Sequence, residues 1–140
     1  MYHEKGIGLS AIQINVITRV ITIDVSKDRN EKIILINPVI LDKREPIVFD
    51  EGCLSVPGFY EKVDRYNYIK YQANDIKGKL YEAEATDLLA VCIQHEIDHL
   101  NGKLFVDYLS DMKRSKIEKG LIKQKQNPES SKRSENPYIK

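Results

Sequence analysis

The stretch QHEIDHLNG, positions 94–102, places two of the chain's three histidines where they could act together on a metal ion. His95 and His99 stand four residues apart, so on a helix they project from one face. Two imidazoles placed this way supply two ligands, whereas a catalytic divalent metal takes three protein ligands and keeps one open position. Glu96 is turned by about 100° from His95, beside the metal position and not on it. A carboxylate there suits proton transfer to and from an activated water better than ligation.

The third ligand has several candidates. Cys92 shares the stripe of His95 and His99, but it lies about 7.5 Å back along the axis from a metal held between them. That is too far for a Zn–S bond of about 2.3 Å, so Cys92 is expected on the wall beside the site. Glu118, downstream of His99, is what a zinc endopeptidase would offer, yet it falls in a basic stretch poor in apolar residues. His3 sits next to the terminus. Cys53, in DEGCLSVPG, follows a glycine that lets the backbone turn sharply and approach another group closely. Together with the helix pair it completes a Cys/His/His set with one vacancy.

These residues need a scaffold. At 140 residues and 41% hydrophobic, the chain is long enough for one domain with a real core and too short for two. No apolar run approaches the roughly 20 residues of a membrane span. The first residues lack the pattern of a signal or transit peptide, which makes a cytoplasmic address the default. Two cysteines cannot make a disulfide framework. Residues 1–110 carry thirteen basic and seventeen acidic side chains, against nine and four in residues 111–140, so basic character is concentrated in the C-terminal segment.

Strand patterns begin with RVITIDV and continue in KIILINPVI, where Pro38 should break the ladder. EPIVFDEGCLSVPG reads as extended, closing in a Pro57–Gly58 turn. EKVDRYNYIKYQAND and KLYEAEA read as a hairpin. A buried helix follows, capped by Thr86 and stopped at Asn101–Gly102. KRSKIEKGLIKQKQ is expected to be a basic helix that frays, and NPESSKRSENPYIK to be disordered. Tyr66, Tyr68 and Tyr71 read as strand packing, and no DNA or membrane partner is expected.

GIGLSAIQ, EGCLS and QHEIDHLNG, in this order, resemble the three motifs of the bacterial-type peptide deformylases, and the likeness runs on to GKLFVDYL. The resemblance implies an α+β fold, with antiparallel sheets packed around a central metal-binding helix. It implies removal of the formyl group from N-formylmethionyl nascent peptides, with release of formate. Cys53, His95 and His99 would be the metal ligands and Glu96 the proton-transfer residue. The Gln13 side-chain amide and the Leu54 backbone N–H would hold the oxyanion. Gly8 and Gly52 would pair with the substrate backbone, and Ile7, Phe49, Leu88, Val91 and Cys92 would line the methionine pocket. The family implies one divalent metal, Fe2+ natively, with Zn2+, Ni2+ or Co2+ as substitutes. The basic C-terminal segment could contact the ribosome.

Against the family pattern, Ser10 and Ile12 are substitutions expected to alter packing only. Tyr60 replaces an arginine that some members carry, which should change the grip on substrate. Members normally have a strand and a long helix before the first motif. The reading is therefore a catalytic domain at 1–110 without them, followed by the basic segment 111–140, partly helical and then disordered. Uncovering about 600 Å2 of apolar surface would cost about 15 kcal/mol at about 25 cal/mol/Å2, so the chain alone is expected to be marginally stable. The alternative to an active enzyme is a shortened, inactive homologue that binds formyl-peptide or metal without turnover.

Overall fold

The computed structural model describes residues 1–128. Five strands, β1 (Gly8–Ser10), β2 (Val20–Ile23), β3 (Ile33–Cys53), β4 (Val56–Asn74) and β5 (Leu80–Thr86), form one antiparallel sheet in sequence order. Helix α1 (Asp87–Leu100) follows β5, and α2 (Asp111–Gln126) follows a short 3-10 turn, Phe105–Tyr108. This is the expected α+β arrangement. No described helix is long and apolar enough to cross a membrane.

Period-two burial builds the sheet. On β4, Val63, Arg65, Ile69, Tyr71 and Ala73 are buried, all on one face. β3 and β4 are long enough to serve two cores. One packs Ile21, Ile23, Leu35, Ile69 and Tyr71 against Ala90, Ile93 and Ile97 of α1. The other gathers Val56, Val63, Phe105 and Val106 around Ile117 of α2, which is therefore packed at that point and not frayed along its whole length. Residues 129–140, where disorder is expected, lie outside the described residues.

Three local expectations are corrected. Pro38 does not end its strand: a register shift between Ile36 and Val39 forms a bulge, and Pro38 sits there fully buried. Asn37 takes a φ of 50° in that bulge and donates its N–H to Arg19 O at 2.7 Å. The turn expected at Pro57–Gly58 lies earlier, because Cys53 pairs with Val56 and only Leu54 and Ser55 remain to reverse the chain. Thr86 occupies the N-cap position of α1 with extended dihedrals, but its side chain makes no capping bond. The β4–β5 hairpin forms as read, without Asn-Gly. Asp75 Oδ1 accepts from the N–H groups of Lys77 and Lys79 at 2.8 and 2.9 Å, and Gly78 supplies a φ of 81°.

Candidate metal centre

α1 presents His95 and His99 from the same buried face, one turn apart, and the end of β3 delivers Cys53 to them. His99 Nε2 lies 3.2 Å from Cys53 Sγ and 2.9 Å from His95 Nε2. Among the described residues, these three form the cluster whose donor atoms all lie within 4.8 Å of one another. Cys92 is not part of it and lies in the cavity wall. Glu118 is exposed and paired with Arg114 at 3.3 Å.

A buried carboxylate orients the cluster. Glu51 Oε2 accepts from His95 Nδ1 at 2.8 Å. That fixes the tautomer and leaves Nε2 facing Cys53 and His99. Glu51 in turn is held by Arg65, whose Nε donates to Oε1 at 2.5 Å and Nη2 to Oε2 at 2.9 Å. Arg65 also donates to Asp98 Oδ2 at 2.7 Å, and the Tyr108 hydroxyl donates to the same oxygen at 2.7 Å.

The electrostatics follow from this packing. Burial opposes ionisation of Cys53, yet hydrogen bonds from His95 and His99 outweigh it and bring the thiol down to about 5. Thiolate is the form that ligates metal. For His95 burial opposes the charge, but Cys53 and Glu51 hold the imidazole up at about 10. Burial would raise Glu51, and Arg65 with His95 keeps it below the ordinary carboxylate value. Glu96 is 3% exposed, and burial pushes it up to about 7 against the pull of His95 and His99. Its Oε2 is enclosed without a hydrogen-bond partner among the described residues.

A cavity of about 380 Å3 opens beside the cluster. Cys53, His95 and Glu96 line it, together with Gln13, Leu54, Gly8 and Gly52. Ile7, Phe49, Leu88, Val91 and Cys92, the residues expected to form the methionine pocket, line it too. At both backbone positions a side chain would crowd a neighbouring side chain. A Cβ on Gly8 would stand 2.6 Å from Glu96 Oε1 and 2.8 Å from Cys92 Sγ. A Cβ on Gly52 would stand 2.3 Å from the Tyr60 ring, which also lines the cavity.

Gln13 is fixed by Ser10. Its Oε1 accepts from the Ser10 N–H at 2.9 Å and from the Ser10 hydroxyl at 3.1 Å. That orientation sends Nε2 to Ser55 Oγ at 2.9 Å and towards Cys53 Sγ at 3.6 Å. The expectation that Ser10 alters packing alone is therefore corrected. Ile12 is 42% exposed and packs little.

Glu51, Arg65, Asp98 and Tyr108 went unassigned in the sequence, although two of them left a trace there. Glu51 precedes Cys53 by two residues and so shares its strand face. Arg65 puts a cation on the same period-two face as Val63, Ile69, Tyr71 and Ala73, which a half-buried strand tolerates only with a partner.

The polypeptide deformylase family profile matches residues 1–115. A peptide deformylase of Hahella chejuensis is 56% identical over 126 residues, covering 89% of this chain and 74% of its own length. The crystal structure of a peptide deformylase from Legionella pneumophila superposes with a TM-score of 0.87 at 45% identity, covering 94% of this chain and 78% of the other. That of Ehrlichia chaffeensis peptide deformylase in complex with actinonin gives 0.83 at 36%, covering 91% and 77%. With the site geometry and these likenesses in agreement, the chain belongs to the polypeptide deformylase family.

Proposed function

We propose that the chain is a metal-dependent amide hydrolase that removes the formyl group from N-formylmethionine of nascent polypeptides, releasing formate. The observation that carries this reading is the juxtaposition of Cys53, His95 and His99 with an enclosed Glu96 oxygen, unpartnered among the described residues, at one end of a cavity with apolar walls. The donor set fits a divalent transition ion, since a thiolate with two imidazoles suits ferrous iron and zinc alike. Iron is the metal we assign natively, with zinc, nickel and cobalt as substitutes. Held by Cys53, His95 and His99, such an ion supplies Lewis acidity, which polarises a carbonyl and brings the pKa of water towards neutrality.

The chain's own residues do the rest. Ile7, Phe49, Leu88, Val91 and Cys92 receive the methionine side chain, and the backbone at Gly8 and Gly52 takes the peptide as an added strand. Gln13 Nε2 and the Leu54 N–H stabilise the oxygen of the formyl group as it gains charge; one such donor is worth about 2.7–4 kcal/mol. Glu96 takes a proton from the attacking water and gives it to the departing amine as the C–N bond breaks. A carboxyl at about 7 can do both near neutral pH.

We place the activity in the cytoplasm. The basic face of α2, with Lys113, Lys116, Lys119 and Lys123, is our candidate contact with ribosomal RNA. The test is formate release from formyl-Met-Ala by protein prepared anaerobically with ferrous iron. Glu96→Ala should lose activity by a factor of about 10²–10⁴ with metal content retained. Full metal occupancy in the unaltered chain without formate release would refute the hydrolase reading.

A further inference from the structure

The backbone along one side of the cavity is rich in glycine and is held from outside. Gly6, Ile7 and Gly8 line that side, and two glycines among three residues leave the stretch with little stiffness of its own. β1 is a three-residue strand that, among the described residues, pairs only with β2, Gly8 opposite Ile23. Before it, Gly6 N–H donates to Met1 O at 3.1 Å and Ile7 O accepts from Asp24 N–H at 2.8 Å.

A side chain from a separate loop supplies the remaining support. Arg29 Nη2 donates to the Gly6 carbonyl, and Arg29 Nη1 donates to Asp24 O at 2.7 Å. The guanidinium also lies 5.3 Å from the centroid of the Tyr2 ring. The Tyr2 hydroxyl donates to Asp24 Oδ2 at 2.6 Å, while Ser26 N–H and Oγ–H donate to Asp24 Oδ1 at 3.0 and 2.5 Å. Asp24 is fully buried, so it is a fixed anchor. Arg29 has a φ of 58°, a backbone conformation that a residue other than glycine keeps only where its surroundings impose it.

We propose that Arg29 is a positioning residue for substrate binding: anchored at Asp24 and Tyr2, it grips the Gly6 carbonyl and presets residues 6–8 as the edge that receives the substrate backbone. The proposal rests on the deformylase reading in so far as the substrate lies along Gly8 and Gly52. Arg29 makes no hydrogen bond to Cys53, His95, His99 or Glu96, which stand on β3 and α1. Without its grip, the cost of ordering residues 6–8 moves onto the binding step and leaves the reacting groups in place.

The test uses the full, metal-loaded chain with Arg29→Met and Arg29→Lys, measuring formate release from formyl-Met-Ala and amide hydrogen exchange at residues 6–8. Arg29→Met should raise KM about tenfold, with kcat within about twofold, because only preorganisation is lost. Exchange at residues 6–8 should accelerate, metal content should stay the same, and Arg29→Lys should recover part of both effects. Arg44→Met, on an exposed part of β3, should leave both unchanged. A fall in kcat at constant KM, or unaltered exchange at residues 6–8, would overturn the proposal. Should Arg29→Met fail to fold, Arg29→Lys decides by the same two readouts. If the unaltered chain releases no formate, the deformylase reading fails, and exchange still decides whether Arg29 holds the loop.

Discussion

His95 Nδ1 stands 2.8 Å from Glu51 Oε2, so a carboxylate on the strand that carries Cys53, one candidate metal donor, orients a second candidate donor on the helix. Glu51→Gln should weaken metal binding about 10- to 100-fold, measured by competition against a chelator. Arg65→Met is predicted to act on stability instead. It leaves two carboxylates, Glu51 and Asp98, without their shared cation, at a cost of about 3–5 kcal/mol in urea unfolding. A variant as stable as the parent would show that Arg65 is dispensable.

Gly8→Ala should cost activity without unfolding the chain, since the new methyl group is directed at Glu96 Oε1 and Cys92 Sγ. Displacing Glu96 by even one ångström is expected to reduce kcat/KM about a hundredfold. Gly52→Ala meets the Tyr60 ring, and Tyr60→Ala in the same chain should restore part of what is lost. Equal activity of the single and double variants would show that the Tyr60 ring is not what the new methyl group displaces.

Gln13→Ala is expected to lower kcat by about 10²–10³ with little change in KM. Ser10→Ala should have a much smaller effect, because the Ser10 backbone N–H still holds Gln13 Oε1. Steady-state kinetics of the two variants side by side measure how much of the orientation the hydroxyl provides.

Stability should depend on pH through Asp24. Burial opposes its charge, but bonds from Ser26 and Tyr2 outweigh that and lower its pKa in the folded chain. A group depressed on folding stabilises fully above its unfolded pKa, about 3.9 for aspartate, and loses that contribution as pH falls through the folded value. The gap in urea midpoint between the parent and Asp24→Asn should therefore be widest near neutral pH and close below about pH 4. A gap that widens on acidification would reverse the assignment.

Around Gln13, apolar side chains face solvent: Ile12, Ile14, Val16 and Ile17, the last 92% exposed. Such a patch promotes self-association. The isolated chain is expected to melt below about 60 °C with aggregation, and Ile14→Lys with Ile17→Lys should reduce light scattering on heating. A sharp, reversible transition above that temperature would count against marginal stability.

Much of this was legible in residue types and spacing. Period-two alternation revealed β4 and β5, and the i, i+4 histidines revealed the inner face of α1. What was not legible arose from contacts distant in sequence. Pro38 reads locally as a strand end, and only pairing with β4 on its far side carries the strand through a bulge. The position of the tight turn depended on Cys53 pairing with Val56, which a Pro–Gly signal two residues later obscured. Glu51 and Arg65 carry no local motif that pairs them; only the register of β3 and β4 brings the two charges together on one buried face. Ser10 looked like a packing variant because its role depends on where the Gln13 side chain folds back.

Cys53 and His99 are 46 positions apart yet nearly touch. Any ion they share would fasten a hairpin tip to a helix, closing a long chain loop much as a cross-link does. Chelation should then do more than stop turnover: it should free the tip carrying Leu54 and Ser55, and proteases should find that tip first.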